Sequence, residues 1–176
     1  MRGLAGPALV LAACALGTHA LTLYLAPGFI MDRAMQVLEQ RGVGLHAFTP
    51  PQRVTPQTQS VVRSSPDLYY ALCRYDLSDA ASGLEIRMAA WPDYQSLAFF
   101  DGQTDNFATL RGTGRQINVR LLPPGRAAED GAIVSPTTKG VILIRRLAPD
   151  AARFAAAADI GKADQCRLTG TAGVTP

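Results

Sequence analysis

The chain has 176 residues, a net charge of +3 and 48% hydrophobic residues. This length suits one folded domain with an appendage and excludes two full enzymatic domains of ordinary size. The small excess of basic over acidic residues does not indicate nucleic-acid binding, because no cluster of Lys and Arg is interleaved with aromatic residues. We therefore expect one core and no nucleic acid among the partners.

The first 27 residues predict a membrane-spanning helix. No Asp, Glu, Lys or Arg occurs from Gly3 to Met31, and about 20 apolar residues are enough for a helix to cross a bilayer. Arg2, which precedes this run, favours an uncleaved anchor at residues 1–27 with its N-terminus in the cytoplasm. The rest of the chain is then expected outside the cytoplasm.

Two other interpretations of this segment stay open. Thr18-His19-Ala20 loosely resembles a signal-peptide cleavage site, although the apolar run continues beyond it to Leu25. The sequence LAAC at residues 11–14 resembles the lipobox of a lipoprotein, although the stretch after Cys14 stays apolar. This continued apolarity favours the anchor over both alternatives.

Two different connections follow the predicted span. Apolar residues recur at helical spacing in residues 28–44, which predicts an amphipathic juxtamembrane helix ended by Gly42 and Gly44. Residues 45–60 contain three prolines among Thr and Gln residues, which predicts an extended tether. A β-rich domain is therefore predicted at residues 61–170, followed by a flexible tail at residues 171–176.

The pattern within the domain changes to period two. Residues 84–88 and 117–121 alternate apolar and polar side chains, as strands with one buried face do. Further strands are predicted at residues 94–100, 106–110, 132–135 and 140–147, and one helix at residues 149–159. The predicted fold class is mainly β, an antiparallel jelly-roll-like sandwich or barrel with a C-terminal helix, preceded by an N-terminal transmembrane helix.

Two Ser-Pro sequences precede predicted strands. Ser65-Pro66 comes before an aromatic-rich run that starts at Leu68, and Ser135-Pro136 comes before the most apolar strand of the chain. Both strands are predicted to lie inside a sheet. The shared pattern predicts neighbouring strands whose preceding loops meet at one end of the domain.

The two Ser-Pro loops would then form one candidate ligand-binding site. Its residues are Arg63, Ser65, Asp67, Tyr69, Ser135, Thr137 and Lys139. Arg63 and Lys139 would hold an anionic ligand, and the alternative is an enzyme in which Lys139 acts as the base for a serine. His19 and His46 both lie outside the predicted domain, which argues against a Ser-His-Asp triad or a His-rich zinc site. We assign no catalytic residue, no metal and no cofactor.

Three stretches of the domain carry a family resemblance. They are VVRSSPDLYYALCRYDLS from residue 61, YQSLAFFDGQTDNFATL from residue 94 and GAIVSPTTKGVILIRRLAPD from residue 131. In this order and spacing they resemble the bacterial envelope family called domain of unknown function twelve-fifty-four, over about residues 61–168.

The resemblance implies a β-rich, jelly-roll-like domain of the cell envelope, with no activity established for the family. The anchor is accordingly expected in the bacterial inner membrane, as a single pass with the C-terminal domain in the periplasm. Longer relatives carry a companion, domain of unknown function twelve-fourteen, on the same chain. A separately encoded companion is therefore an expected partner.

The positions of the three cysteines are relevant to the compartment in which the domain lies. Cys14 lies in the membrane segment, which leaves Cys73 and Cys166 in the domain. An oxidising periplasm would join these two in a disulfide, and the alternative is two free thiols, with Cys73 buried as a small hydrophobic residue. We expect the disulfide, which would hold the C-terminal segment against the core.

Overall fold

Two helices and eight strands make up the part of the chain that the structure describes. The computed structural model describes residues 3, 5–50, 52–55, 64–127 and 129–170. The elements, in chain order, are α1 Ala5–Gln40, β1 Leu68–Asp76, β2 Leu84–Met88, β3 Tyr94–Phe100, β4 Asn106–Thr113, β5 Ile117–Leu122, β6 Ala132–Val134, β7 Lys139–Leu147, α2 Ala151–Gly161 and β8 Gln165–Leu168. Arg63, the later part of the predicted tether at residues 56–60 and the predicted flexible tail at residues 171–176 lie outside the described residues.

The strands form two four-stranded sheets that share one hydrophobic core. Sheet A has the order β1-β7-β3-β4 and sheet B the order β6-β5-β2-β8, and every neighbouring pair is antiparallel except β5 and β6. Leu84, Ile86 and Met88 of β2 are buried, whereas the residues between them are half-buried, because alternate side chains of a strand point to opposite faces. The predicted fold class, mainly β with a helix at each end, is confirmed.

β1 lies at the edge of sheet A, so the prediction that it is an inner strand is wrong. Its neighbour β7 is the inner strand, paired with β1 on one side and with β3 on the other. Leu45 and Thr49 nevertheless cover the free edge of β1 through β-bridges to Arg74 and Leu72. No residue of β1 is fully exposed, which explains why its sequence has the apolar pattern of an inner strand.

α1 is one continuous helix where the sequence predicts two segments. It runs from Ala5 to Gln40 through Pro27, although a proline removes one hydrogen bond from a helix interior. Gly42 ends the helix in a left-handed conformation with a φ of 77°, and its N–H donates to Glu39 O at 2.9 Å, an arrangement that favours glycine. The predicted span and the predicted juxtamembrane helix are therefore parts of one element.

The two halves of α1 have different surroundings. Within the described residues, α1 is the helix long and apolar enough to cross a bilayer, and its apolar stretch is not buried inside the protein. Toward its C-terminal end Met31 is only 6% exposed, and α1 lies against β7. Such a helix is either a membrane span or a signal sequence by its length and composition.

Arg74 of β1 attaches the end of α1 to sheet A. Its Nε donates to Val43 O at 2.9 Å, and its Nη1 lies 3.5 Å from Glu39 Oε2. The backbone of the same residue donates to Gly44 O and accepts from His46 N–H. The first part of the predicted tether is therefore docked on β1, and the tether prediction is wrong there.

A buried ion pair connects β7 to the segment just before β8. The side chains of Arg146 and Asp164 are both fully buried, and two guanidinium nitrogens donate to the two carboxylate oxygens at 2.7 Å. Arg146 also donates to Gln95 Oε1 and Ala89 O, at 3.3 Å each, while Ala89 N–H donates to Asp164 Oδ1 at 2.9 Å. The Tyr69 ring centre lies 5.8 Å from the guanidinium carbon. The pair is thus surrounded by hydrogen-bonding partners, which a buried pair requires.

A disulfide joins the two sheets. Cys73 of β1 and Cys166 of β8 are bonded, 93 residues apart in the chain, and both are buried. The structure therefore contains the bond that the sequence predicts, while Cys14 on α1 is free and exposed. Because the closed loop is long, the bond restricts the unfolded chain strongly.

We expect Asp164→Asn to lower the free energy of unfolding by about 3–5 kcal/mol, because it leaves the Arg146 charge buried without its partner. Urea denaturation of the full chain in a non-ionic detergent measures this change. Asp159→Asn is the matched control, since Asp159 pairs with Lys162 at the surface, where ion pairs contribute little. Equal effects of the two substitutions would contradict a structural role for the buried pair.

We expect the double substitution Cys73→Ala and Cys166→Ala to lower the free energy of unfolding by about 2–5 kcal/mol, because the unfolded chain regains the freedom of the long loop. Reductant should shift the urea midpoint of the native protein and leave that of the double variant unchanged. Cys14→Ala is the control, with no expected change. A native midpoint that reductant does not move would disprove the stabilising role of the bond.

We expect Arg74→Met to release the segment between α1 and the domain, because it removes the side-chain contacts to Val43 and Glu39. Hydrogen exchange of residues 42–50, followed by mass spectrometry, should become about tenfold faster or more, as the loss of a charged hydrogen bond allows. Arg111→Met on β4 is the control. Unchanged exchange in Arg74→Met would show that other contacts hold this segment.

Candidate functional site

The two Ser-Pro loops lie at opposite ends of the domain, so they do not form the predicted common site. β1 and β7 are neighbours, but they are antiparallel, with Leu68 opposite Leu147 and Asp76 opposite Lys139. The loops that precede two antiparallel neighbours lie at opposite ends of the pair, here separated by a strand of nine residues, or about 27 Å at about 3.4 Å per residue. The prediction that the loops meet is therefore wrong.

The residues around the start of β1 form a turn and part of the core. Ser65 Oγ accepts from Asp67 N–H at 3.4 Å, and Ser65 N–H donates to Tyr70 Oη at 3.0 Å. Tyr69 is 1% exposed, and its burial, together with the nearby Asp164 carboxylate, raises the pKa of its hydroxyl to about 12. Tyr69 therefore stays protonated and packs inside the protein.

The hydroxyls before β7 make their contacts within the protein. Ser135 is fully buried, and its Oγ donates to Thr137 O at 2.6 Å and lies 2.9 Å from Tyr75 Oη. Thr137 Oγ1 accepts from Gly102 N–H at 2.7 Å and donates to Lys139 O at 2.8 Å. Burial raises the pKa of Tyr75 to about 12, so it too stays protonated. Because Ser135 is closed to solvent, the geometry does not support an enzyme in which Lys139 activates it.

Lys139 belongs to a charged corner at the start of β7. Its Nζ lies 3.4 Å from Asp76 Oδ2, and its side chain is 55% exposed. Partial burial raises the pKa of Asp76, but hydrogen bonds from Ser78 and the Lys139 charge outweigh this effect and hold the pKa below its usual range. His46 Nε2 lies 2.9 Å from Asp76 O. The structure therefore brings together one part of the predicted site, namely Ser135, Thr137 and Lys139, and leaves the other part, namely Ser65, Asp67 and Tyr69, at the far end.

The outer face of sheet B contains a polar groove. A cavity of about 380 Å³ lies over β5, β2 and β8. Two rows of side chains cross it, and each row follows the strand register. The rows are Arg120, Glu85 and Arg167, followed by Asn118, Arg87 and Gln165. We call these six residues the sheet B groove.

Two of the three arginines in the sheet B groove have carboxylate partners. Arg167 Nη2 and Nε donate to Glu85 Oε2 at 2.7 Å and 2.9 Å, and Arg120 forms a hydrogen-bonded ion pair with Glu129. Arg87 is half-buried, and its Nε is buried without a hydrogen-bond partner in the described part of the chain. The groove therefore holds one arginine with no carboxylate bonded to it among the described residues.

The groove is absent from the predicted site because its residues come from three separate stretches of the chain. The alternation in residues 84–88 and 117–121 correctly predicts strands with a charged outer face. Residues 165–168, which form the third strand, carry too short a pattern to indicate one. The register that aligns Arg87 with Asn118 and Gln165 is a long-range property.

Two of the solved structures that are similar to this chain come from bacteria. The VPA0106 protein from Vibrio parahaemolyticus matches with a TM-score of 0.59 and 13% identity, over 81% of this chain and 36% of that chain. An uncharacterized protein from Burkholderia cenocepacia matches with a TM-score of 0.41 and 15% identity, over 60% of this chain and 31% of that chain. The chain thus spans about a third of the length of both structures, and the Vibrio protein shares its fold.

A family comparison covers the whole β-domain. The sequence model of the family described as protein of unknown function (DUF1254) matches residues 46–168. This range begins in the segment docked on β1, ends with the last residue of β8 and includes the sheet B groove. No curated protein matches the sequence. The chain therefore belongs to the DUF1254 family of proteins of unknown function.

Proposed function

We propose that this chain is a membrane-anchored binding module, held in the bacterial inner membrane by an uncleaved α1 with its β-domain in the periplasm. The observation that carries the proposal is the path of α1, which leads from an unburied apolar stretch directly onto the domain. α1 and the segment after it occupy the side of β1 and β7, whereas the sheet B groove lies on the other sheet. The anchor thus fixes the domain at the membrane while the groove stays open to a ligand.

The exposed side chains of α1 favour an anchor over a cleaved signal peptide. Cleavage after Ala20 would leave a cluster of apolar side chains on the folded protein in water. Those more than half exposed are Leu21, Leu23, Tyr24, Leu25, Phe29 and Ile30. Contiguous exposed apolar surface marks a membrane or protein interface, and an uncleaved span places these residues in or next to the bilayer.

Two independent features support the same orientation. Arg2 precedes the apolar run, and positive charge next to a span favours the cytoplasmic side. The Cys73–Cys166 disulfide is of a kind that persists in oxidising compartments such as the periplasm. Both support a cytoplasmic N-terminus and a periplasmic domain.

The contact between α1 and the domain implies a domain close to the bilayer surface. A Cβ at Gly28 would lie 3.3 Å from Gln103 Nε2, in the turn between β3 and β4. From Ala5 to Gly28 a helix extends about 36 Å at 1.5 Å per residue, close to the hydrocarbon thickness of about 30 Å. The β3–β4 turn is therefore expected at the level of the lipid headgroups.

We propose that the protein partner of this chain is a separately encoded companion, domain of unknown function twelve-fourteen. The Vibrio structure is about three times as long as the part that this chain matches, since the match covers 36% of it. This difference in length leaves room for a further domain on that chain. Because α1 occupies the β1 and β7 side, a companion would contact sheet B or the β4 edge.

We expect a reporter fused after Pro176 to be active when it is alkaline phosphatase and dark when it is green fluorescent protein, because only the former matures in the periplasm. The intact mass of the protein extracted from membranes should include the residues before Ala20. Fluorescence of the second fusion would place the domain in the cytoplasm and disprove the proposed orientation. A mass that begins after Ala20 would instead disprove the uncleaved anchor.

A further inference from the structure

We propose that the sheet B groove binds a small anion through carboxylate or phosphate oxygens, with Arg87 as the central contact. This inference rests on the proposed function as a binding module and names the chemistry of its ligand. The cavity of about 380 Å³ lies in the range of ordinary small-molecule sites, about 300–1,000 Å³.

The charge distribution favours an anion. Glu85 is paired with Arg167, and Glu129 with Arg120, so each carboxylate already faces a guanidinium that reduces its repulsion of an anion. Arg87 lies in the next row of the same groove, where no carboxylate pairs with it among the described residues. The position of strongest attraction for an anion is therefore beside Arg87, on the middle strand of the groove.

One donor of the Arg87 guanidinium has no partner among the described residues. Its Nε is buried there, and a buried donor left unpaired is unfavourable, more so when it is charged. A guanidinium presents a planar fork of donors that matches two oxygens of a carboxylate or a phosphate. A ligand of this class in the groove would pair with the part of the half-buried Arg87 guanidinium that stays open to solvent.

The two amides beside Arg87 can complete the site. Asn118 Oδ1 accepts from Gln116 Nε2 at 2.9 Å, which leaves the Asn118 amide N–H groups as donors. Gln165 lies opposite Arg87 on the other side and also carries an amide. Donors on both sides of an arginine suit an anion with several oxygens better than a cation, which needs acceptors.

Calorimetric titration of the full chain in a non-ionic detergent, at neutral pH and low salt, tests the site with inorganic phosphate and with citrate. We expect the native protein to bind at least one of the two, and Arg87→Gln to weaken that binding about tenfold or more, as the loss of a charged hydrogen-bond donor predicts. Arg87→Lys keeps the charge but not the fork, so its affinity should be intermediate. Arg111→Gln on β4 makes the same change of charge in sheet A and should leave the affinity within about twofold, since distant surface charges are screened.

Absence of binding of both probes to the native protein would overturn the inference, and so would an equal loss in Arg87→Gln and Arg111→Gln.

A second titration with a short-chain phosphatidylglycerol, below its micelle concentration, separates two sources of the anion. Tighter binding than phosphate assigns the site to a lipid headgroup, and weaker binding assigns it to a free solute; either result supports the anion site. An exported, anchored domain that binds no anion would overturn this inference alone. A cytoplasmic domain would overturn the proposed orientation, and the titration of the purified protein would still decide the anion site.

Discussion

The buried pair of Arg146 and Asp164 is the interaction on which the arrangement of the two sheets depends. An arginine without a partner in the core would be strongly unfavourable, so β7 and the segment before β8 must come together for the domain to fold. Gln95, Ala89 and Tyr69 converge on the same point from three other parts of the chain. The disulfide then joins β1 and β8 through the core, and these two connections fix how sheet A faces sheet B.

This arrangement gives the two outer faces different surroundings. On sheet A, Arg74 contacts Glu39 at the end of α1 and Val43 just after it, and the segment after the helix covers the edge of β1. The domain is consequently held against α1 without a long free linker. On sheet B, the outer side chains of β5, β2 and β8 are polar, and the cavity lies among them. Attachment and recognition are thus assigned to opposite sheets in the function that we propose.

The predicted hydroxyl site illustrates why residue types alone are a weak guide to chemistry. Serine, threonine and lysine before a strand are compatible with a reactive centre, yet the same residues are compatible with a turn. Here Ser135 donates to the Thr137 carbonyl, and the Thr137 hydroxyl accepts from Gly102 N–H, which satisfies polar groups that burial would otherwise leave unpaired. The arginines of the sheet B groove, by contrast, belong to strands whose separate sequences have an ordinary alternating pattern, and only the strand register brings these arginines together.

The sequence by itself determined the features that depend on local patterns: the apolar helix, the strands with alternating residues such as Leu84–Met88, and the cysteine pair left over once Cys14 is assigned to the membrane segment. Side-chain period and apolar length act within a few turns or residues, so they can be seen in one stretch. Only the tertiary structure decided strand order, the edge position of β1, the docking of the segment after α1, the partner of Arg146 and the rows of the groove. Each of these depends on contacts between residues far apart in the chain, where antiparallel register decides which side chains meet, and no local pattern carries that information.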